Sequence, residues 1–157
     1  MEKLFNITLE NRKILHHILM TTSKEDLLFI PKEHNNNIWW NIAHVLVTQQ
    51  LLAYKLSKVP MRLNDELVKE FSKGTHPAAS ITDKQLKQVV ETLIPAIEWT
   101  KEDYEKGIFK EFMQYTTSAN VTLHSVEDAI SFNLFHEGLH MGAIRAIQKH
   151  LPEPTVD

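Results

Sequence analysis

Apolar residues recur at three- and four-residue intervals along most of this chain, the spacing of one face of an α-helix. Between Glu2 and Met20, the positions Leu4, Ile7, Asn11, Ile14 and Ile18 share one stripe, which predicts a first helix with that face inward. Thr21-Thr22-Ser23 ends it, and Ser23 is placed to cap a short acidic turn from Lys24 to Leu28, closed by Pro31. His34-Asn35-Asn36-Asn37 is a polar break whose asparagines suit the N-cap of the next helix. That second long helix is predicted over Ile38 to Ser57, with Trp40, His44, Val47 and Leu51 on one face and Asn41 and Tyr54 at its margins. Lys58-Val59-Pro60 stops it.

Residues 58–81 form a long connection, with a short helix predicted from about Asn64 to Lys73 and ended by Gly74. Thr82-Asp83-Lys84-Gln85 spells a capping box, a hydroxyl at the N-cap and Gln three residues on. It opens a third helix with Leu86, Val90, Leu93, Ile97 and Tyr104 on one stripe. Pro95 inside that pattern predicts a kink, and Gly107 the end. Residues 108–124 alternate weakly, which predicts a partly extended loop with a short hairpin. Ser125 caps a fourth helix running to about His150, with Ala129, Phe132, Asn133, His136, His140, Ala143 and Ile147 facing inward. Leu151-Pro152-Glu153-Pro154 ends the pattern. The fold class expected is therefore all-α, a four-helix bundle with long connections between helices two and three and between three and four. No linker, repeat or low-complexity tract divides residues 1–157, so they read as a single domain.

Composition narrows the function classes. Apolar residues make up 43% and charged residues 24%, as in an ordinary globular protein. The net charge of −3 argues against a nucleic-acid partner, which needs a basic surface. The chain has no cysteine, which removes disulfides, thiolate metal sites and cysteine nucleophiles together. Met1-Glu2-Lys3-Leu4-Phe5-Asn6 has no apolar signal core, and no later run approaches a membrane span. The cytoplasm is the expected location.

The nine histidines carry the chemistry. His136 and His140 are four residues apart on the inward stripe, one turn apart on one helix face. At that spacing two imidazoles reach a single metal ion, and one ion satisfies two buried rings that would otherwise need separate partners. His44, inward on another long helix beside Trp40, is the best third ligand. His16, His17, His34, His76, His124 and His150 fall at breaks, ends or outer positions and read as surface or capping residues. Three histidines leave a fourth position open for water or substrate. Zinc, nickel and ferrous iron all accept these ligands.

His136-Glu137-Gly138-Leu139-His140 also spells the zinc-peptidase motif H-E-x-x-H, with Glu137 as the candidate general base. Its surroundings fit a peptidase poorly, which leaves a zinc peptidase as the minority reading. Ala143 and Ala146 stand where the extended motif needs Gly and His, and Glu153 downstream lies between prolines. The plain alternative for Glu137 is a solvated charge.

Ile38-Trp39-Trp40-Asn41-Ile42-Ala43-His44-Val45-Leu46 and His136-x3-His140-Met141-Gly142-Ala143-Ile144 resemble the paired signatures of the DinB/YfiT-like superfamily of metal-binding four-helix bundles. The short acidic turn and the long link after helix two fit the same family. Ala143 departs from the Gln frequent in that family at this position. The resemblance implies His44, His136 and His140 as a metal triad, an up-down-down-up bundle, common homodimers and no DNA chemistry. It also implies a thiol-dependent S-transferase, since characterised relatives use bacillithiol or mycothiol. A low-molecular-weight thiol at the open metal position would be held as thiolate and attack a small-molecule electrophile. Trp40 and Phe132 would shape the pocket, and Asn41 and Asn133, each three residues before a ligand histidine, would orient ligands or substrate. The competing class is a bundle that binds metal or a small ligand without turnover.

Overall fold

The structure is a computed structural model and describes residues 1–152. Helix α1 spans Glu2–Thr21, and a one-turn helix α2 spans Lys24–Leu28. Helix α3, Ile38–Gln50, runs directly into a π-helical turn, Leu51–Lys55. A short helix α4, Asp65–Phe71, lies in the long connection. Helices α5, Asp83–Leu93, and α6, Pro95–Glu105, follow one another across Ile94. Strands β1, Tyr115–Thr116, and β2, Thr122–Leu123, pair antiparallel and lead into helix α7, Val126–Gln148. The protein is mostly helical, as its periodicity predicts.

Local chemistry sets the helix starts. Ser23, Asn37, Asn64, Thr82 and Ser125 each accept a hydrogen bond from a backbone N–H of the first turn. At Thr82 the capping box is complete, with the Gln85 side chain accepting from the Thr82 backbone N–H. Pro95 does more than kink its helix. Its nitrogen has no hydrogen to donate, so the chain breaks at Ile94 and restarts with Pro95 as the first residue of α6.

Helices α3 and α7 pack together at the centre. α1 lies against α7, α5 and α6, while α2 and α4 cover α3. The core is built on Trp39, whose ring meets Phe71 edge-on at 5.5 Å, with Leu15, Leu27, Ile42 and Leu46 around it. Each of these side chains is almost wholly removed from water, worth about 2 kcal/mol apiece relative to exposure. No described helix is long and apolar enough to cross a membrane.

The inward faces differ from the predicted stripes in three places. On α1 the buried line is Phe5, Thr8, Arg12, Leu15 and Leu19, with Ile18, while Ile7 and Ile14 remain 42% and 38% exposed. The face is turned because Arg12 is buried and ion-paired, and hydropathy counts arginine as an outward residue. On α6 the inner line takes in Thr100 and Asp103. Asp103 accepts from Tyr54 and Arg62, which explains why a carboxylate occupies a core position. On α7 the fully buried line is Val126, Ile130, Asn133, Glu137, Ile144 and Ile147, with Ala129. Phe132, His136, His140 and Ala143 flank it, half-buried. Glu153 lies outside the described residues.

Candidate metal centre

The Asn37 cap starts α3 so that His44 falls on the side facing α7, 4% exposed. The Ser125 cap starts α7 so that His136 and His140 fall at its border with α3. The three imidazoles converge. One nitrogen from each ring lies within 4.8 Å of the other two. Ring centroids are 5.2 Å apart for His44 and His136, 4.8 Å for His44 and His140, and 4.4 Å for His136 and His140.

Hydrogen bonds fix which nitrogens carry lone pairs. His44 Nδ1 lies 2.7 Å from the Phe71 carbonyl oxygen. A carbonyl only accepts, so the His44 proton is on Nδ1 and Nε2 is bare. Thr48, one turn on, brings its hydroxyl within 3.2 Å of that Nε2. His140 Nδ1 lies 2.7 Å from Asn41 Oδ1. Asn41 is itself oriented, because its amide nitrogen donates to the Asn37 carbonyl at 2.7 Å. That leaves only the amide oxygen to face His140, so the His140 proton is also on Nδ1 and its Nε2 is bare. His140 Nε2 and His136 Nε2 stand 3.1 Å apart. Two imidazole nitrogens on one tetrahedral zinc would stand about 3.3 Å apart, given Zn–N bonds of ~2.05 Å. His136 Nδ1 is buried without a partner. The donor set, the spacing and the His44 and His140 tautomers fit a divalent ion.

The electrostatics keep the rings neutral. Burial, followed by the charges of His140, His44 and Arg12, lowers the His136 pKa to about 3. Burial and the His44 charge lower His140 to about 4. Burial lowers His44, against the opposing bond to Phe71. A neutral imidazole is the form that binds metal.

The cluster opens onto a cavity of ≈ 490 Å³ between α3, the π turn, the hairpin and α7. Its apolar wall is Leu51, Leu52, Leu56, Phe132 and Leu139. Its polar groups are Thr48, Lys55, Lys73, Tyr115, Thr117 and Ser118, besides the histidines. The π turn carries three of these residues, Leu51, Leu52 and Lys55, and π segments recur at functional sites.

The remaining expected residues divide. Phe132 lines the cavity, whereas Trp40 does not. Trp40 lies behind His44, stacked on it at 4.4 Å and 11°, with its indole N–H donated to Thr75. It stiffens the ligand rather than shaping the pocket. Asn41 serves His140 across the helix interface, not His44 on its own helix. Asn133 serves neither histidine; it donates to Glu137.

Both sequence readings of Glu137 need correction. It is not a solvated charge, for it is 0% exposed. It does not border the cavity either, so it is not placed to activate a metal-bound water. Its Oε1 accepts from Arg12 at 2.6 and 3.0 Å and from Asn133 at 2.7 Å. One residue round the helix from His136 is about 100°, enough to turn it from the cavity to the α1 side.

Sequence reasoning missed Thr48, Lys55, Lys73, the Phe71 carbonyl and the hairpin wall. Thr48 was detectable, four residues after His44 on the same face. Lys73, the Phe71 carbonyl and the hairpin belong to segments that reach the site only through tertiary packing. The other six histidines are exposed or partly exposed, outside the cluster.

The family model described as the DinB superfamily matches residues 8–144, a span containing all three clustered histidines. No curated protein matches the chain. With the match running from the first helix almost to the end of the last, this chain belongs to the DinB superfamily.

Proposed function

We propose that His44, His136 and His140 hold a divalent metal ion, and that the adjoining cavity serves a thiol-dependent S-transferase. The observation that carries this reading is the pair of bare Nε2 atoms, each bared by a partner at its Nδ1 and turned into one shared space at a cavity. The candidate metals are zinc, nickel and ferrous iron. The metal supplies Lewis acidity, which favours a thiolate at neutral pH.

This chain's residues do the rest. The Phe71 carbonyl and Asn41 keep the ligand protons on Nδ1. Trp40 restrains the His44 ring from behind. Leu51, Leu52, Leu56 and Phe132 offer a dry surface beside the triad. The chain has no cysteine, so the thiol comes from a small molecule of the bacillithiol kind. In the transfer an S–C bond forms, the electrophile's leaving group departs with its bonding pair, and the thiol proton passes to solvent. The reading includes an up-down-down-up four-helix bundle, a homodimer and a cytoplasmic location.

One observation favours a second reading, a metal-binding bundle without turnover: the cavity lining contains no carboxylate to act as acid or base. Metal analysis of purified protein tests the shared premise. Wild type is expected to bind one divalent ion per chain and His44→Ala to lose most of it. Equal metal content in the two would remove His44 from the site. Metal-replete protein that turns over no low-molecular-weight thiol with a generic electrophile would leave the binding bundle.

A further inference from the structure

Two cations border the cavity and no anion does. Lys55 comes from the π turn, and Lys73 from the end of the α4 segment, so two separate parts of the chain each bring a lysine to the same space. Among the described residues neither lysine is in an ion pair, although Lys13, Lys24, Lys58 and Lys106 on other surfaces all are. The chain as a whole is acidic, 20 Asp and Glu against 17 Lys and Arg, so a cavity edged by lysine alone runs against its composition. The hydroxyls of Thr117 and Ser118 on the hairpin, and of Thr48, add donors without adding negative charge. The rest of the wall is aliphatic or aromatic.

We infer that the cavity selects amphipathic anions: a compact apolar body against Leu51, Leu52, Leu56, Phe132 and Leu139, with one anionic group met by Lys55 and Lys73. Both lysines are exposed at the rim, so their pull on an anion is long-range and screened by salt, while the apolar wall holds the rest of the ligand. A cation or a zwitterion with an exposed ammonium would meet like charge at the same place. The inference rests on the proposal that this cavity is the ligand site of the metal centre, and it names the ligand class that proposal leaves open. At ≈ 490 Å³ the space suits a ligand of two fused or linked rings or a medium-length chain.

A matched pair of fluorescent probes tests it: 8-anilinonaphthalene-1-sulfonate, and N-phenyl-1-naphthylamine, which has the same rings without the sulfonate. Both are titrated into full-length protein whose metal content is measured in the same samples. The sulfonate probe is expected to bind about tenfold more tightly than the neutral one, as for a charge-assisted contact. Raising the salt should shrink that ratio. Lys55→Met with Lys73→Met should bring the sulfonate probe to the affinity of the neutral probe and leave the neutral probe unchanged. Leu52→Trp, which fills the cavity, should weaken both. Equal affinity of the two probes for wild type would overturn the inference, as would a double variant that keeps the preference. Sulfonate binding that survives Leu52→Trp would place the probe elsewhere and also overturn it. Wild type without metal but with the lysine-dependent preference would instead sink the metal reading and leave the anion site standing.

Discussion

Two polar clusters sit back to back on α7, one residue out of register. His136 looks to the cavity and Glu137 to α1. Around Glu137 the groups interlock: Arg12 donates through Nε and Nη2 to the carboxylate, through Nη2 to the Val45 carbonyl and through Nη1 to the Leu93 carbonyl. One side chain thus ties α1 to α3, α5 and α7. Both partners are 0% exposed, and neither lines the cavity beside the histidines. Around His136 the pattern is reversed. Hydrogen bonds hold the His44 and His140 protons on the far nitrogens and turn their Nε2 lone pairs inward, where His140 Nε2 accepts from His136 Nε2. A buried cluster whose charged hydrogen bonds cross four helices holds a fold together, even with Glu137 Oε2 and Asn133 Oδ1 left unpartnered; one that turns ring lone pairs towards a cavity is built to receive something.

The largest expected effect breaks the first cluster. Arg12→Met leaves a buried carboxylate unpaired and should destabilise the protein by about 3–5 kcal/mol. Arg12→Met with Glu137→Leu removes both charges and should recover most of that loss, because the cost lies in the orphaned charge. Urea denaturation with the single and double variants measures both. The folded double variant should still bind metal, and if it does not, the two clusters are not separable.

Asn41→Ala sharpens the second cluster. It removes the acceptor that holds the His140 proton on Nδ1, and metal affinity should fall by about 10–100-fold. Competition with a chromophoric chelator reads the change. Unaltered affinity would mean that the His140 tautomer is not held by Asn41.

The metal-free protein should also show a pH dependence. His136 and His140 are lowered by burial to about 3 and about 4, against ~6.5 in an unfolded chain. Between those values and pH ~6.5 the unfolded chain binds more protons than the folded one, so stability falls as pH falls through that window and is flat above it. Urea midpoints from pH ~7 down to ~4 should show the slope, and His136→Gln with His140→Gln should flatten it. A slope unchanged in the double variant would assign the acid sensitivity to other groups.

What could be read from the sequence was whatever depends on near neighbours. The capping box at Thr82, the caps at Asn37 and Ser125, the break at Pro95 and the same-face placement of His136 with His140 all involve residues within four positions of one another. His44 stood out because a histidine inside the apolar face of a helix is chemically out of place unless it has a partner. Arg12 was illegible for the opposite reason. Its partner lies 125 residues away, and without that partner in view Ile7 and Ile14 make a better apolar stripe than the true one. Lys73 and the hairpin residues have no periodic signature, and only the folded chain brings them beside the π turn.

The acceptor that orients His44 is a main-chain atom, the carbonyl of Phe71. No side-chain exchange at that position deletes it, so drift in residue type across α4 leaves the histidine's orientation intact. Inserting or deleting one residue there would carry the carbonyl about 1.5 Å along and 100° around the helix axis, away from the ring. A change in the number of residues within α4 therefore threatens the site more than a change in their identity.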